Sequence, residues 1–334
     1  MSVPVIAFFN NKGGVGQTSL VYHLAWMYSD LGLRVLAVDL DPQANLTAAF
    51  FDEDTLEDIL GDNSHQLTVY RSILPLVQGT GHTKEPYPLI VGDGPAVLPG
   101  DLSLSSFEDE LSSQWPFALS GSERAFRVLS AFWRVMQLAA QENDSQVILM
   151  DLGPNLGAIN RAGLIAADYV VIPLSPDLFS LQGLRNLGPA FEKWRREWKD
   201  RLERQPRMDL ELPAGRIEPV GYVVQQHSVR LDRPVKAYER WINRIPQDYR
   251  TYVLAEPAGA GVSLQNDPHK LALLRHYRSL MPMAQEARKP MFHLKPADGA
   301  IGAHFQSVLE ARKDFQALAE AIALKANLSL VPAS

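Results

Sequence analysis

The sequence predicts an α/β fold: a doubly wound, mostly parallel sheet flanked by helices, in one domain with insertions. Three observations carry this. Short apolar runs of strand length recur along the chain, stretches with helical spacing lie between most of them, and the first run leads through a glycine-rich loop into a helix. With 334 residues, 46% of them hydrophobic, the chain can bury a core of this size.

The first strand candidate spans residues 3–9, Val-Pro-Val-Ile-Ala-Phe-Phe, the length of a strand buried on both faces. It is followed by Asn10, Asn11, Lys12, Gly13, Gly14, Val15, Gly16, Gln17, Thr18 and Ser19. Leu20, Leu24, Met27, Tyr28 and Leu31 then recur at helical spacing, and Gly32 fits the stop. Strand, glycine loop and helix in that order make a phosphate cradle, because the helix start aims free N–H groups and a positive dipole end at an anion. Further strands are expected at 34–39, 146–152, 169–174 and 219–224, with a weaker candidate at 271–278. Residues 52–122, acidic and rich in Pro, Gly and Ser, interrupt the alternation and read as an inserted helix-and-loop region. Residues 256–268, rich in Gly, Ala and Pro, read as a surface loop of the same domain, which spans 1–330.

Composition narrows the class. The chain has no cysteine, which excludes disulfides, thiolate-held zinc and cysteine-held iron–sulfur clusters and fits a reducing compartment. No basic leader precedes an apolar stretch, and no apolar run approaches the roughly 20 residues of a membrane span. The expectation is a soluble cytoplasmic protein. A net charge of −6 hides a segregation: residues 183–295 carry 21 Lys/Arg against 13 Asp/Glu, and the rest carries 11 against 25. Such asymmetry points to a polyanion-binding face on an acidic body.

The loop reads as a variant of the phosphate-binding form G-x-x-x-x-G-K-[ST]: glycines and Thr18 are present, Gln17 stands where the lysine should, and an extra lysine comes early, at Lys12. Asp39 and Asp41 close the second strand candidate, and Asp151 closes a later one. Carboxylates at strand ends beside a phosphate loop are placed to hold Mg²⁺ through its waters and to orient an attacking water.

Lys12-Gly13-Gly14-Val15-Gly16-x-Thr18, the block Val38-Asp39-Leu40-Asp41-Pro42-Gln43-Ala44-Asn45, residues 148–154 and residues 168–174 together resemble the ParA/MinD family of deviant Walker-A ATPases, a SIMIBI-like branch of the P-loop NTPases. The likeness covers roughly 3–50 and 125–225, with a weaker echo near 289–305, and lies nearer to ParA than to MinD. It implies ATP and Mg²⁺ as cofactors. It implies that Lys12 reaches across an ATP-sandwich homodimer to the partner's phosphates, and that Gly13, Gly14, Val15, Gly16, Gln17, Thr18 and Ser19 line the nucleotide. Thr18 would ligate Mg²⁺, Asp39 and Asp151 would act through its waters, and Asp41 would position the hydrolytic water. Gln225 and Gln226 end a strand candidate and could touch adenine, with Gln226 taken as the base contact.

Two positions depart from the family's pattern. Gly153 stands where a proline is usual. Gln17 brings no charge, and a neutral hydrogen bond to phosphate is about half as strong as a charge-assisted one. The sequence therefore predicts impaired ATP binding or hydrolysis, read as an engineered lysine-to-glutamine change in a competent ATPase, with a natural pseudo-ATPase as the alternative.

Residues 192–207 carry seven basic residues around Trp194, Trp198 and Leu202 at i, i+4, i+8. One reading is an ion-paired solvated helix, with Glu197 facing Arg201. The other is a non-specific DNA face of Lys193, Arg195, Arg196 and Lys199, joined by Arg230, Arg233 and Lys236. The resemblance implies nucleoid association when ATP-bound, a ParB-like activator, and a role in segregating DNA or other cargo. A MinD-like membrane switch and a P-loop metabolic enzyme acting on a small substrate are the rival readings.

Overall fold

The computed structural model describes residues 2–61, 67–207, 209–225, 235–257, 262–277 and 279–330. Its strands are β1 (Val5–Phe8), β2 (Val35–Asp39), β3 (Leu89–Ile90), β4 (Ala96–Leu98), β5 (Val147–Asp151), β6 (Tyr169–Leu174), β7 (Glu218–Gln225) and β8 (Lys270–Leu274). They form one sheet in the order β3-β4-β2-β5-β1-β6-β7-β8. All neighbours run parallel except β3 and β4.

The helices are α1 (Gln17–Asp30), α2 (Asn45–Phe50), α3 (Glu53–Leu60), α4 (Val69–Val77), α5 (Phe107–Phe117), α6 (Glu123–Leu129), α7 (Ala131–Glu142), α8 (Ala158–Ala166), α9 (Leu178–Leu202), α10 (Val235–Ile242), α11 (Ile245–Asp248), α12 (Leu280–Ala287) and α13 (Ala303–Lys325). Strand side chains alternate between two cores. Val5, Ala7, Leu36, Val38, Ile148 and Met150 face a layer that includes α4 to α9. Ile6, Phe8, Val35, Ala37, Val147 and Leu149 face a layer of α1 to α3, α12 and α13. Burial on both faces is why these strands read as continuous apolar runs.

Two sequence expectations need correction. Region 52–122 is not only helix and loop: it supplies β3 and β4, and β4 pairs with β2 through Leu36 and Ala96. Runs of two and three residues are too short to show a period. The last strand stops at Leu274 rather than running on to 278, because Arg275 and Tyr277 turn to Asp314 on α13, at 3.1 and 2.9 Å. The loop expected at 256–268 is partly anchored as well. Asp267 is buried and accepts hydrogen bonds from the Tyr222 hydroxyl at 2.7 Å and from Arg250 at 3.2 Å.

His23 joins α1 to α13. Its ring stacks on Phe315 at 4.9 Å between centroids, and Nδ1–H donates to the Ser19 carbonyl at 2.7 Å. Burial pushes the imidazole down to about 4. Below pH 6.5 the unfolded chain gains a proton that folded His23 refuses, so stability falls as pH drops from about 6.5 to about 4. His23→Phe keeps the stacking and removes the titration. Urea unfolding at pH 7.5 and 4.5 should find the variant gaining about 2.5 kcal/mol on the parent at the lower pH. An unchanged difference between the two proteins would overturn the assignment.

Candidate functional site

The glycine loop joins β1 to α1 at the carboxyl edge of the sheet, beside the point where the strand order reverses around β1. Gly14 and Gly16 hold φ of 73° and 79°, the left-handed region that glycine enters without strain. At Gly16 a Cβ would also stand 2.4 Å from Oε1 of Gln225. α1 starts at Gln17 with no side-chain cap, which leaves its first N–H groups available to an anion.

Gln17 does not aim at that anion. Its side chain is buried, with Oε1 accepting from the Asn10 N–H at 3.0 Å and Nε2 donating to Asp151 at 2.8 Å and to the Leu152 carbonyl. Both ends of the amide are used by the protein, and the hydrogen bond to phosphate that the sequence allowed is not available in this conformation.

Asp39 and Asp151 are register partners across β2 and β5, and both are fully buried. Asp39 accepts from the Thr47 N–H and hydroxyl at 2.8 and 2.7 Å and from the Asp41 N–H at 3.1 Å. Burial pushes both carboxyls well above the ordinary range; the Asp39 charge raises Asp151 further, and the Asp41 charge raises Asp39. Asp151 Oδ2 has no hydrogen-bond partner. An orphaned oxygen between two carboxyls that resist ionising together fits a divalent cation, which would stabilise the charged pair. Among the described residues no three His, Asp or Glu side chains converge as a closed metal cage. Asp41 is buried two residues beyond Asp39, with Oδ1 accepting from Gln43 at 3.0 Å. The missing side chain at Gly153 leaves room for it, since a Cβ there would come within 3.1 Å of that oxygen.

Lys12 forms an ion pair with Asp177, which also caps α9 through the Ser180 N–H at 3.0 Å. Sequence reasoning did not single out Asp177. The cap pattern before α9 was its available signal, placing a carboxylate at the end of β6. Leu178 and Phe179, exposed by 41 and 66%, follow Asp177 directly at the start of α9, and Leu156, exposed by 40%, lies between β5 and α8.

Gln225 covers Gly16, and its Nε2 is buried without a partner beside a cavity of about 240 Å³ lined by Ser19, Leu20 and Tyr277. A second cavity, of about 490 Å³, opens beside Thr18, Ser19 and Asn45. Gln226, Arg230 and Arg233 lie outside the described residues, and Lys236 is placed only as a position on α10. Lys193, Arg196 and Lys199 are exposed on α9, Arg195 is partly so, and Trp194 and Trp198 face the core. Glu197 does not pair with Arg201. Arg201 is buried over the Trp115 ring at 3.8 Å and donates to the Glu197 carbonyl, while the Glu197 carboxylate stands 4.0 Å from Lys193.

Comparison with known proteins places the chain in a family. The AAA domain family model matches residues 3–204. Chromosome partitioning protein ParA of Caulobacter vibrioides is 29% identical over 204 residues, covering 60% of this chain and 67% of its own. The chain belongs to the ParA-type partition ATPases. The fold of this ParA-type chain is shared with a Corynebacterium diphtheriae protein at a TM-score of 0.70 and 24% identity, over 97% of this chain and 98% of the other. A putative plasmid partition protein from Borrelia burgdorferi, solved bound to AMPPNP, matches at a TM-score of 0.56 and 17% identity, over 97% and 100%. ParA-type proteins are P-loop ATPases, and the glycine loop, Asp39, Asp41 and Asp151 lie together inside the segment that the family model matches. Among the described residues no helix is long and apolar enough to cross a membrane.

Proposed function

We propose that this chain is a nucleotide-controlled dimer switch that binds DNA without sequence preference and positions DNA or another cargo, with ATP and Mg²⁺ as its cofactors. The observation that carries this is the convergence of Lys12, the α1 start and the Asp39–Asp151 pair at one sheet edge. In this reading Thr18, Asp39 and Asp151 hold Mg²⁺, which neutralises phosphate charge, and Asp41 orients water. Gln225 takes the place nearest the base, Gln226 being the second candidate. The exposed apolar Leu178 and Phe179, next to the Asp177 that pairs with Lys12, favour a second copy of the chain over a small substrate. The Lys12–Asp177 pair then opens when Lys12 turns to the partner's phosphates.

Lys193, Arg195, Arg196 and Lys199 supply phosphate contacts on an exposed face, so DNA affinity should fall steeply with salt. A ParB-like protein is the expected activator. Gln17, bonded at both ends, slows hydrolysis in this reading, whether it is an engineered change from lysine or the mark of a natural pseudo-ATPase. Size exclusion of the chain and of Gln17→Lys, each with ATP and Mg²⁺, tests the switch. A nucleotide-dependent dimer is expected in Gln17→Lys, and that dimer should shift a DNA fragment at low salt but not at high salt. A monomer under every condition would overturn the proposal.

A further inference from the structure

The glycine between Asp151 and α8 lies against Asp41, and Pro154 lies against Gly13, where an added Cβ would be 3.5 Å away. The loop 152–157 therefore touches both the water-positioning carboxylate and the phosphate loop. The loop is held from two directions. From α8, the Asn160 amide donates to the Gly153 carbonyl at 2.6 Å and to the Asn155 carbonyl at 2.7 Å. Asn155 in turn accepts from the Gly157 N–H at 2.8 Å.

The start of α8 has no cap of its own, since Gly157 offers no side chain. A carboxylate 50 positions earlier fills the place. Glu108, in the first turn of α5, accepts from the Ala158 N–H through Oε1 and from the Ile159 N–H through Oε2 at 2.8 Å. A charged acceptor at a helix start satisfies two otherwise orphaned donors and meets the positive dipole end. Gly157 is a close fit, because a Cβ there would stand 2.7 Å from Glu108 Oε1. α5 itself is braced against α8 and α9: Trp115 lies between the guanidinium of Arg161, at 4.2 Å, and that of Arg201, at 3.8 Å.

We propose that Glu108 is a positioning residue: it fixes the start of α8 and, through Asn160, sets loop 152–157 against Asp41 and Gly13. This rests on the hydrolytic role given to Asp41 above. Region 52–122 thereby becomes part of the machinery around the nucleotide rather than an appended segment. Thr47 gives it a second link, because the Thr47 hydroxyl that donates to Asp39 accepts the Gly100 N–H at 2.8 Å.

Hydrogen exchange on the whole chain without nucleotide, comparing the parent with Glu108→Ala and Glu108→Gln, tests the positioning directly. In Glu108→Ala the amides of 153–160 should exchange about tenfold faster, while β1, β5 and α13 stay as protected as in the parent. Glu108→Gln, which retains a single acceptor oxygen, should recover part of the protection. Faster exchange spread over the whole chain, or none at 153–160, would overturn the proposal. In the Gln17→Lys background Glu108→Ala should lower kcat with little change in KM; an equal loss in a parent-like exchange pattern would also overturn it. If no variant hydrolyses ATP while the exchange result stands, the hydrolytic role of Asp41 fails and the positioning by Glu108 survives.

Discussion

Gln17→Lys is expected to raise ATP turnover by about 100-fold, the scale on which a single well-aimed donor to a developing anion acts. The glutamine amide is spent on Asn10, Asp151 and the Leu152 carbonyl, so no side chain of α1's first turn brings positive charge to the phosphates. A lysine carries three donors and no acceptor. It cannot serve the Asn10 N–H, and leaving that buried donor unpaired should cost the nucleotide-free protein about 1–3 kcal/mol. ATP with Mg²⁺ should return most of that loss, because the ammonium then has phosphate oxygens to meet and an ionised Asp151 beside it. Phosphate release and thermal unfolding, each with and without ATP, would read both halves. Turnover equal to the parent's would sink the idea that Gln17 limits hydrolysis.

Trp198→Ala should destabilise the fold by about 3–5 kcal/mol. The indole is fully buried, stacks on Trp115 with centroids 6.2 Å apart, and packs against Phe126. Its Nε1–H donates to the Pro213 carbonyl at 2.9 Å, so truncation leaves that acceptor unmet as well as opening a cavity. The same helix carries the exposed cations, and replacing Lys193, Arg196 and Lys199 together by alanine should change stability by no more than about 0.5 kcal/mol per site. Urea unfolding separates the two faces of α9. A loss below about 1 kcal/mol for Trp198→Ala would contradict the packing described here.

Periodicity was enough for α1, for the basic part of α9 and for strands that are long and buried. Residues 169–174 read as a strand because six consecutive side chains face two cores, and the structure places β6 there. The Trp194–Trp198 stripe was legible for the same reason, since a helical face repeats locally. What escaped the sequence was contact between distant positions. Nothing near Arg201 reports that Trp115 lies beneath it, so its charge read as part of the solvated face. Asp177 is separated from Lys12 by 165 positions, and Glu108 from Ala158 by 50. Gln17 shows the limit most plainly: its identity announced a missing charge, but only the folded chain shows which groups its amide serves.

The sheet ends at β3 after two residues, antiparallel to the rest, with Ile90 exposed at 66%. An open strand is normally a template on which another chain can add itself by backbone pairing. Two residues offer too few donors and acceptors to seed such growth. Copies of this chain therefore gain little hold on one another at that border, whatever other surfaces bring them together.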